Sequence, residues 1–399
     1  MKKTTTRYYL DNAAGEPLRK EAIEAMILCM EKYGNGEYSN PSNIMAISGN
    51  SASRAMTEAR ASIASCIGAL PEEITFTSGG TESNNIVIHS AVKQGLVKTH
   101  NPHVVVSAIE HKSVLEAVKN ITAEYEGSYT VVPCPDGVVD VDILANAISE
   151  NTCLVAVMMV NNEVGTVQPI KEVAKICSAN KVPFLVDAVQ AVGHMPIDVK
   201  DLGITYLSAS GHKFGAPAGT GFLWHKKGAA LMRFSYGGGQ EGGYRPGTEN
   251  LVGIVGMEAA LCASLKDYAD NYEDLLYTNS YIRDKVRAKI PDCIINGENS
   301  PCIPTTISLS FKDIDGPGLS LRLNLAGFTV SNGSACNASS KTASHVLKAM
   351  KIPKDYIGGT IRISFASHNM KTADLAKDLV TELTESVAKL RSFKTKGDK

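Results

Sequence analysis

The sequence predicts an α/β protein in which a large domain with a mainly parallel sheet is followed by a smaller α+β domain. Between residues 74 and 224, short apolar segments alternate with segments of helical periodicity, an order typical of parallel sheets covered on both faces. From about Asn250 that alternation ends and a long helical stretch begins. The 399 residues also exceed the roughly 250–300 at which one hydrophobic core stops growing, so two domains are expected.

The strands of the large domain are predicted from buried runs rich in β-branched residues, at 74–76, 104–106, 154–157, 184–186, 204–207 and 221–224. Helices are predicted between them at 113–121, 141–149 and 170–180. The last has an apolar face formed by Ile170, Val173, Ala174 and Cys177. Because ligands of such sheets bind beyond the carboxyl ends of the strands, functional residues are expected directly after each strand.

The smaller domain is predicted to begin near residues 255–265 with a helical stretch over 252–290. Strands are then predicted at 305–311, 327–331 and 360–365, and helices at 318–325, 343–350 and 372–390.

The composition argues against a nucleic-acid-binding, membrane-spanning or secreted protein. With 40 basic and 41 acidic residues, the net charge of −1 gives no indication of a nucleic-acid partner. No apolar run reaches the ~20 residues that span a bilayer, and the first residues lack the apolar stretch of a signal peptide, so a cytoplasmic location is expected. The nine cysteines include no Cys-x-x-Cys pair, which predicts reduced thiols and no metal site.

Two charged residues follow predicted strands. Lys213 lies among small residues after strand 204–207, where its amine could form a Schiff base with a carbonyl cofactor; the alternative is a lysine that reaches back to solvent. Asp187 ends strand 184–186 and could pair with the pyridine nitrogen of pyridoxal phosphate (PLP); the alternative is a helix N-cap.

Two glycine-rich segments have patterns that could bind a phosphate. Gly79, Gly80 and Thr81 lie between strand 74–76 and a helix, a place where backbone N–H groups and the helix dipole favour a phosphate; the alternative is an ordinary glycine turn. The segment 237–242 matches G-x-G-x-x-G. It leads into Arg245 and Pro246 instead of a helix, so it is not interpreted as a dinucleotide site.

Three further residues could take part in chemistry. His111 follows strand 104–106 and could stack on a planar cofactor and move protons, or be a structural strand-end residue. Cys336 lies in a small, polar segment, where an accessible thiol can act as a nucleophile, although loop cysteines without a function also occur. Arg362 lies within an apolar strand, where a guanidinium needs a carboxylate partner.

Together these features resemble the cysteine desulfurases of the NifS/IscS type, PLP enzymes of fold type I in the class V aminotransferase group. The resemblance extends from Tyr9 to about Phe365 through the motifs at 40–42, 81–85, 110–111, 161–165, 187–190, 210–213, 245–250 and 333–336. It implies a large PLP-binding domain at 16–260 with a seven-stranded, mainly parallel sheet. It also implies a small α+β domain at 261–399 that carries the catalytic cysteine loop at about 331–342, and an N-terminal segment, 1–15, that packs with the small domain.

The resemblance implies a role for each site residue. Lys213 would hold PLP and later shuttle the substrate's Cα proton, and His111 would stack on the ring and act as acid and base. Asp187 would pair with the pyridine nitrogen and Gln190 with the phenolic oxygen. The remaining residues expected to bind the cofactor are Gly80, Thr81, Ser210, His212 and Asn162, with Thr248 contributed by a neighbouring subunit of a homodimer.

The resemblance also implies the reaction. Asn162 and Arg362 would bind the carboxylate of L-cysteine, and Cys336 would attack its sulfur, leaving L-alanine and a persulfide for an iron–sulfur scaffold or another sulfur carrier. A selenocysteine lyase, a kynureninase or a small-substrate aminotransferase of the same fold are alternatives. A family member that has lost catalysis and acts as a binding or regulatory protein is another.

Four positions depart from the usual pattern of that family: Gly15-Glu16, Met45, Gly242 and Ala366-Ser367. None of them removes a residue assigned to PLP. They are expected to affect the choice of partner and the turnover rate more than the type of reaction.

Overall fold

The computed structural model describes residues 8–332, 344–368 and 372–397. Its largest sheet has seven strands in the order β2-β8-β7-β6-β5-β3-β4, and β8 alone runs antiparallel to its neighbours. The predicted α/β fold with a mainly parallel seven-stranded sheet is therefore confirmed. The strands are β2 (Ile74–Thr77), β3 (His103–Ser107), β4 (Ser128–Val132), β5 (Thr152–Ala156), β6 (Phe184–Asp187), β7 (Tyr206–Ser210) and β8 (Gly221–His225).

Helices cover both faces of this sheet. The amphipathic face predicted over 170–180 is confirmed, because Ile170, Val173, Ala174 and Cys177 are all buried. The helices are α1 (Lys20–Gly34), α2 (Ile47–Cys66), α3 (Gly80–Thr99), α4 (Lys112–Glu124), α5 (Val141–Ala147), α6 (Ile170–Ala179), α7 (Val199–Leu202) and α8 (Leu251–Asp270).

The sequence did not predict β4, which is the edge strand beside β3. Most of its side chains are exposed or half-buried, so it lacks the apolar run by which the central strands were recognised. An edge strand with one solvated side is stabilised mainly by backbone pairing. Backbone pairing produces no apolar pattern from which the strand could be predicted.

A second group of elements surrounds a three-stranded antiparallel sheet in the order β12-β10-β9. Apolar residues of this sheet and its helices form a hydrophobic cluster of their own, which includes Leu309, Ile363 and Leu379. The strands are β9 (Cys293–Ile295), β10 (Thr306–Phe311) and β12 (Thr360–Ser364); the helices are α9 (Tyr272–Lys289), α10 (Gly316–Leu325), α11 (His345–Ala349), α12 (Lys354–Ile357) and α13 (Thr372–Gly397).

The single helical stretch predicted over 252–290 is wrong in one respect, because it is two helices, α8 and α9, that meet at Asn271. The Asn271 side chain donates to the carbonyl oxygens of Asp267, 2.9 Å away, and Ser367, 3.0 Å away. An asparagine that bonds to backbone carbonyls competes with the regular helix, which explains the break.

The N-terminal segment lies against the second group of elements. A short strand, β1 (Tyr8–Tyr9), pairs in parallel with β11 (Phe328–Thr329), and Asn12 Nδ2 donates to the carbonyl oxygen of Ser364 at 2.8 Å. The division of the chain into domains at 1–15, 16–260 and 261–399 stays a prediction. None of the helices in the described part of the chain combines the length and apolar character needed to cross a bilayer.

Candidate active site

A cavity of about 310 Å³ lies at the carboxyl ends of the parallel strands and is closed on one side by β12. Its walls contain ten of the twelve residues expected at the site: Gly80, Thr81, His111, Asn162, Asp187, Gln190, Ser210, His212, Lys213 and Arg362. Of the other two, Thr248 is exposed and lies outside this cavity. Cys336 lies outside the described residues.

Lys213 extends its amine into the cavity. It ends a single helical turn, Gly211–Lys213, that directly follows β7. Its Nζ donates to the carbonyl oxygens of Ala13, at 2.7 Å, and Ala14, at 3.0 Å. The backbone of Lys213 is also fixed, because His194 Nε2 donates to its carbonyl oxygen at 2.8 Å. The amine is thus held by neutral oxygens at the cavity wall.

Asp187 is a buried carboxylate, with 4 % of its surface exposed. One oxygen accepts from Asn84 Nδ2 at 2.9 Å and the other from the backbone N–H of Val189 at 3.0 Å. The second bond closes a local turn two residues long, so this aspartate does not act as the helix N-cap considered from the sequence. Gln190, three residues on, donates to the carbonyl oxygen of Ala13 at 2.9 Å.

His111 is the N-cap of α4, and its Nδ1 accepts from the backbone N–H of Ser113 at 3.1 Å. An acceptor Nδ1 assigns the proton of the neutral ring to Nε2. Burial lowers the pKa of His111, and nearby Lys213 adds to this effect, while Asp187 opposes it. The ring is therefore held neutral, with one N–H available.

One end of the cavity is suited to an anion. The twenty-residue helix α3 begins at Gly80, after Gly79 with a φ of 146°. A Cβ on Gly80 would lie 2.4 Å from Val189 Cγ2, so only glycine allows this close approach. Burial, with a further contribution from Lys213, lowers the pKa of His212 to about 4. Thus Nδ1 or Nε2 of the neutral ring, together with the first N–H groups of α3, can donate to an anion here.

Arg362, on β12, forms the opposite wall and is almost fully buried. Its Nη2 donates to Asp11 Oδ1 and its Nη1 to the carbonyl oxygen of Asn162, both at 2.6 Å. Its Nε has no hydrogen-bond partner among the described residues. A guanidinium that lines a cavity and is held in a fixed orientation is suited to bind a carboxylate.

The sequence did not single out several residues that complete the site. Asn84 fixes the Asp187 carboxylate, Asp11 fixes Arg362, and His345 lines the cavity while its Nε2 contacts the carbonyl oxygen of Glu110 at 2.9 Å. Asp11 is 351 residues from Arg362, and His345 is 235 residues from Glu110. Contacts between residues so far apart in the sequence become visible only in the folded chain. In the described part of the chain, no group of three or more His, Cys, Asp or Glu side chains could hold a metal ion.

Two of the positions that depart from the family pattern lie together behind the site. Glu16 Oε1 is 2.9 Å from Arg19 Nη2 and 2.9 Å from His368 Nδ1, and Arg19 Nη2 donates to Ser367 Oγ at 3.1 Å. The changes at 15–16 and 366–367 thus contact the same arginine. The other two positions, Met45 and Gly242, are exposed.

Glu110 provides a test of the electrostatics beneath the site. Its buried carboxyl accepts from the Ser107 hydroxyl and from the backbone N–H of Met158, and burial raises its pKa to about 8. Between about pH 5 and pH 8 the folded protein therefore binds one proton that the unfolded chain has lost. The free energy of unfolding should fall with pH by up to about 1.4 kcal/mol per unit.

We expect Glu110→Gln to remove this slope, because an amide keeps the acceptor oxygen and carries no titratable proton. The measurement is chemical denaturation of both proteins at pH 5, 6, 7 and 8. Glu116→Gln, at an exposed position of the same segment, should retain the wild-type slope. Equal slopes for wild type and Glu110→Gln would show that Glu110 is ionised throughout.

The chain is similar to a known family along nearly its whole length. The profile described as aminotransferase class-V matches residues 8–375. A cysteine desulfurase IscS from Dictyoglomus turgidum is 39% identical over 389 residues, covering 97% of this chain and 96% of that protein. A cysteine desulfurase IscS from Methanosarcina thermophila is 39% identical over 386 residues, 96% of this chain and 93% of the relative.

Solved structures give the same result. A structure described as a NifS-like protein superposes with a TM-score of 0.86 at 31% identity, over 96% of this chain and 100% of that one. A structure of SspA in complex with cysteine superposes with a TM-score of 0.75 at 31% identity, over 90% of this chain and 99% of the other.

Proposed function

The chain belongs to the class-V aminotransferase family and is a cysteine desulfurase of the IscS/NifS type, and from this premise we propose that its 310 Å³ cavity binds PLP and L-cysteine. The observation that supports this most is the meeting of Lys213, Asp187, His111 and Arg362 at one cavity. They come from four separate segments of the chain. The cysteine desulfurase function expected from the sequence is confirmed by the similarity to the relatives, and the roles of single residues are proposals.

The residues present fit the cofactor that this family uses. PLP has a phosphate, a pyridine nitrogen, a phenolic oxygen and an aldehyde carbon. The cavity offers a helix N-terminus with Gly80, a buried carboxylate on Asp187, an amide on Gln190 and an amine on Lys213. When bound, PLP supplies an electron sink for the electrons released at the substrate's Cα.

Lys213 would hold the cofactor through Nζ and, once released, take the proton from Cα of the substrate. The carbonyl oxygens of Ala13 and Ala14, which accept from Nζ, would keep the amine facing the cavity. His111 would pack against the ring and donate or accept a proton at Nε2, because Nδ1 is occupied by the N–H of Ser113.

The remaining cofactor contacts would fix orientation. Asp187 would stabilise the protonated pyridine nitrogen, since Asn84 and Val189 N hold both carboxylate oxygens. The phosphate would lie at the start of α3, where the residues available are Gly80, Thr81, Ser210 and His212. Thr248 would reach the phosphate bound by a neighbouring subunit.

Arg362 and Asn162 would bind the substrate carboxylate. Asp11 and the carbonyl oxygen of Asn162 already fix the two terminal nitrogens of Arg362, and its Nε–H is free. The guanidinium is therefore held in one orientation at the cavity wall, and this pre-orientation favours binding of the carboxylate.

Cys336 would take the sulfur atom of L-cysteine as a persulfide. The segments on both sides of 333–343 contact the site: the backbone of Ser331 pairs with that of Arg362, and Ser344 Oγ donates to Glu163 Oε2 at 2.5 Å. Cys336 follows Ser331 by five residues, a reach of at most about 18 Å. A persulfide is a reversible modification of cysteine, so it would pass sulfur to an iron–sulfur scaffold or another carrier protein.

The proposed reaction predicts equal amounts of L-alanine and transferable sulfur from L-cysteine. The PLP-loaded protein should be given L-cysteine with a thiol acceptor, and in parallel L-selenocysteine. Faster release of alanine from L-cysteine supports the desulfurase, whereas alanine from L-selenocysteine alone would identify a lyase. No alanine from either substrate would indicate a member of the family without catalysis.

We also propose a homodimer, with a cytoplasmic location as expected from the sequence. Helix α1 exposes Ile23, Ile27 and Met30 in one stripe, and Met45 and Ile47 are 92 % and 89 % exposed. Apolar surface of this kind is typical of an interface with another subunit. A second copy of the chain would cover it and bring Thr248 to the neighbouring cavity.

We expect Ile27→Asp to shift the protein toward the monomer and to weaken PLP binding, because a buried unpaired carboxylate destabilises an interface. Sedimentation velocity and PLP titration measure the two effects. Val97→Asp, at an apolar residue exposed elsewhere, is the matched control and should change neither. A variant Ile27→Asp that sediments as the wild type does would place the interface elsewhere.

A further inference from the structure

Two of the cysteines that the sequence predicts to be reduced thiols lie in contact near the surface. Cys66 is the last residue of α2, and Cys262 lies in the middle of α8. Their Sγ atoms are 3.7 Å apart. The side chain of Cys262 is exposed and that of Cys66 is half-buried, and both are free thiols. The pair is therefore accessible from solvent.

Polar groups surround the pair. Ser62 Oγ lies 3.3 Å from Cys262 Sγ and donates to Glu258 Oε1 at 2.6 Å. Ser62 precedes Cys66 on α2, and Glu258 precedes Cys262 on α8, each by four residues. Residues four apart lie on one face of a helix, so this polar patch continues along both helices beside the thiols.

The two thiols differ in acidity from the other cysteines. A hydrogen bond from Cys66 lowers the pKa of Cys262 to about 7, with a smaller effect of Ser62, although burial and the Glu258 carboxylate oppose it. The pKa of Cys66 is raised in turn. Burial raises the pKa values of Cys134, Cys177 and Cys293 to about 12. Near neutral pH, Cys262 carries a larger thiolate fraction than these.

We propose that Cys66 and Cys262 form a dithiol site that low-molecular-weight disulfides oxidise to a reversible disulfide bond. The Cys262 thiolate attacks one sulfur of the small disulfide, whose S–S bond breaks and releases one thiolate. The Cys66 thiol then loses its proton to solvent, and its thiolate attacks Cys262 Sγ and releases the second small thiolate; both small thiolates take up a proton from solvent. Two protein thiols and one disulfide thus give one protein disulfide and two small thiols.

The geometry allows this step with small movement. The Sγ atoms must approach from 3.7 Å to the bond length of about 2.05 Å. The bond would join the end of α2 to α8, across 196 residues of sequence. Through Ile67, α2 leads to β2 and the Gly80 turn, and α8 follows Thr248. This modification site is separate from the cavity and does not depend on the proposed function.

The test uses the PLP-loaded protein and oxidised glutathione. After incubation, free thiols are alkylated, and a peptide map is recorded with and without dithiothreitol. We expect the peptides of Cys66 and Cys262 to be linked, with loss of two hydrogen atoms. Both cysteines should be alkylated again after dithiothreitol. Alkylation of both cysteines to the same extent before and after oxidised glutathione would overturn the proposal.

Single variants separate the two roles. In Cys66→Ser, the mixed disulfide with glutathione should accumulate on Cys262, because the resolving thiol is absent. In Cys262→Ser, Cys66 should react at least several-fold more slowly than Cys262 does in Cys66→Ser. Cys302→Ser is the control and should form the linked pair as the wild type does. Faster reaction of Cys66 in Cys262→Ser would contradict the assignment of Cys262 as the attacking thiol.

Discussion

Replacing Lys213 by alanine is expected to abolish the visible absorbance of bound PLP and to lower alanine release by at least about 10⁴-fold. Proton transfer by a positioned side chain contributes about 10²–10⁴-fold, and Lys213 is also proposed to hold the cofactor. The amine donates to Ala13 O and Ala14 O, and alanine cannot reach either oxygen. Absorbance spectra after addition of PLP and the rate of alanine release measure both effects.

The matched control is Lys112→Ala, because Lys112 also lines the cavity. It should retain the absorbance band, since its amine is not the one that Ala13 and Ala14 hold. If Lys213→Ala retained the band, or if Lys112→Ala lost it, the assignment of Lys213 would be wrong.

Cys336→Ala is expected to bind PLP normally but to release alanine at least about 10³-fold more slowly, because removal of a nucleophile costs several orders of magnitude in rate. The spectrum should still change when L-cysteine is added, because Arg362, Asn162 and Lys213 remain. PLP content, spectral titration with L-cysteine and alanine release separate binding from sulfur transfer.

Cys262→Ser is the control for an exposed thiol elsewhere on the surface. It should release alanine at the wild-type rate, since Cys262 lies outside the cavity. Normal alanine release from Cys336→Ala would contradict the persulfide mechanism, and loss of PLP from this variant would show that Cys336 supports the fold.

The sequence predicted the centre of the site because that centre lies at strand ends. Asp187 ends β6, Lys213 follows β7 by three residues, and His111 follows β3 by four. Parallel strands bring such residues to one edge of a sheet, so their placement can be inferred from local pattern and topology alone.

The sequence did not predict contacts that depend on tertiary structure. Asp11 and Arg362 are 351 residues apart in the sequence. The 2.6 Å contact between Arg362 Nη2 and Asp11 Oδ1 forms only because the N-terminal segment lies against β12. The contact of Cys66 with Cys262 depends in the same way on the packing of α2 against α8. No periodicity or motif encodes these pairings, because each partner looks ordinary in its own segment.

The differences between the predicted and the observed secondary structure have local causes. The edge strand β4 has few buried side chains, and Asn271 divides a stretch whose composition reads as one helix. The edge strand and the helix break both depend on backbone hydrogen bonds. The pattern of apolar and polar residues predicts burial better than it predicts such bonds.

The central claim is that Cys336 receives the sulfur of L-cysteine. Mass spectrometry of the PLP-loaded protein, alkylated directly after a single addition of L-cysteine and digested without reductant, tests it most directly. We expect the Cys336 peptide alone to gain the mass of one sulfur atom, and this gain to disappear in Lys213→Ala. Sulfur found on another cysteine, with Cys336 unmodified, would contradict the account.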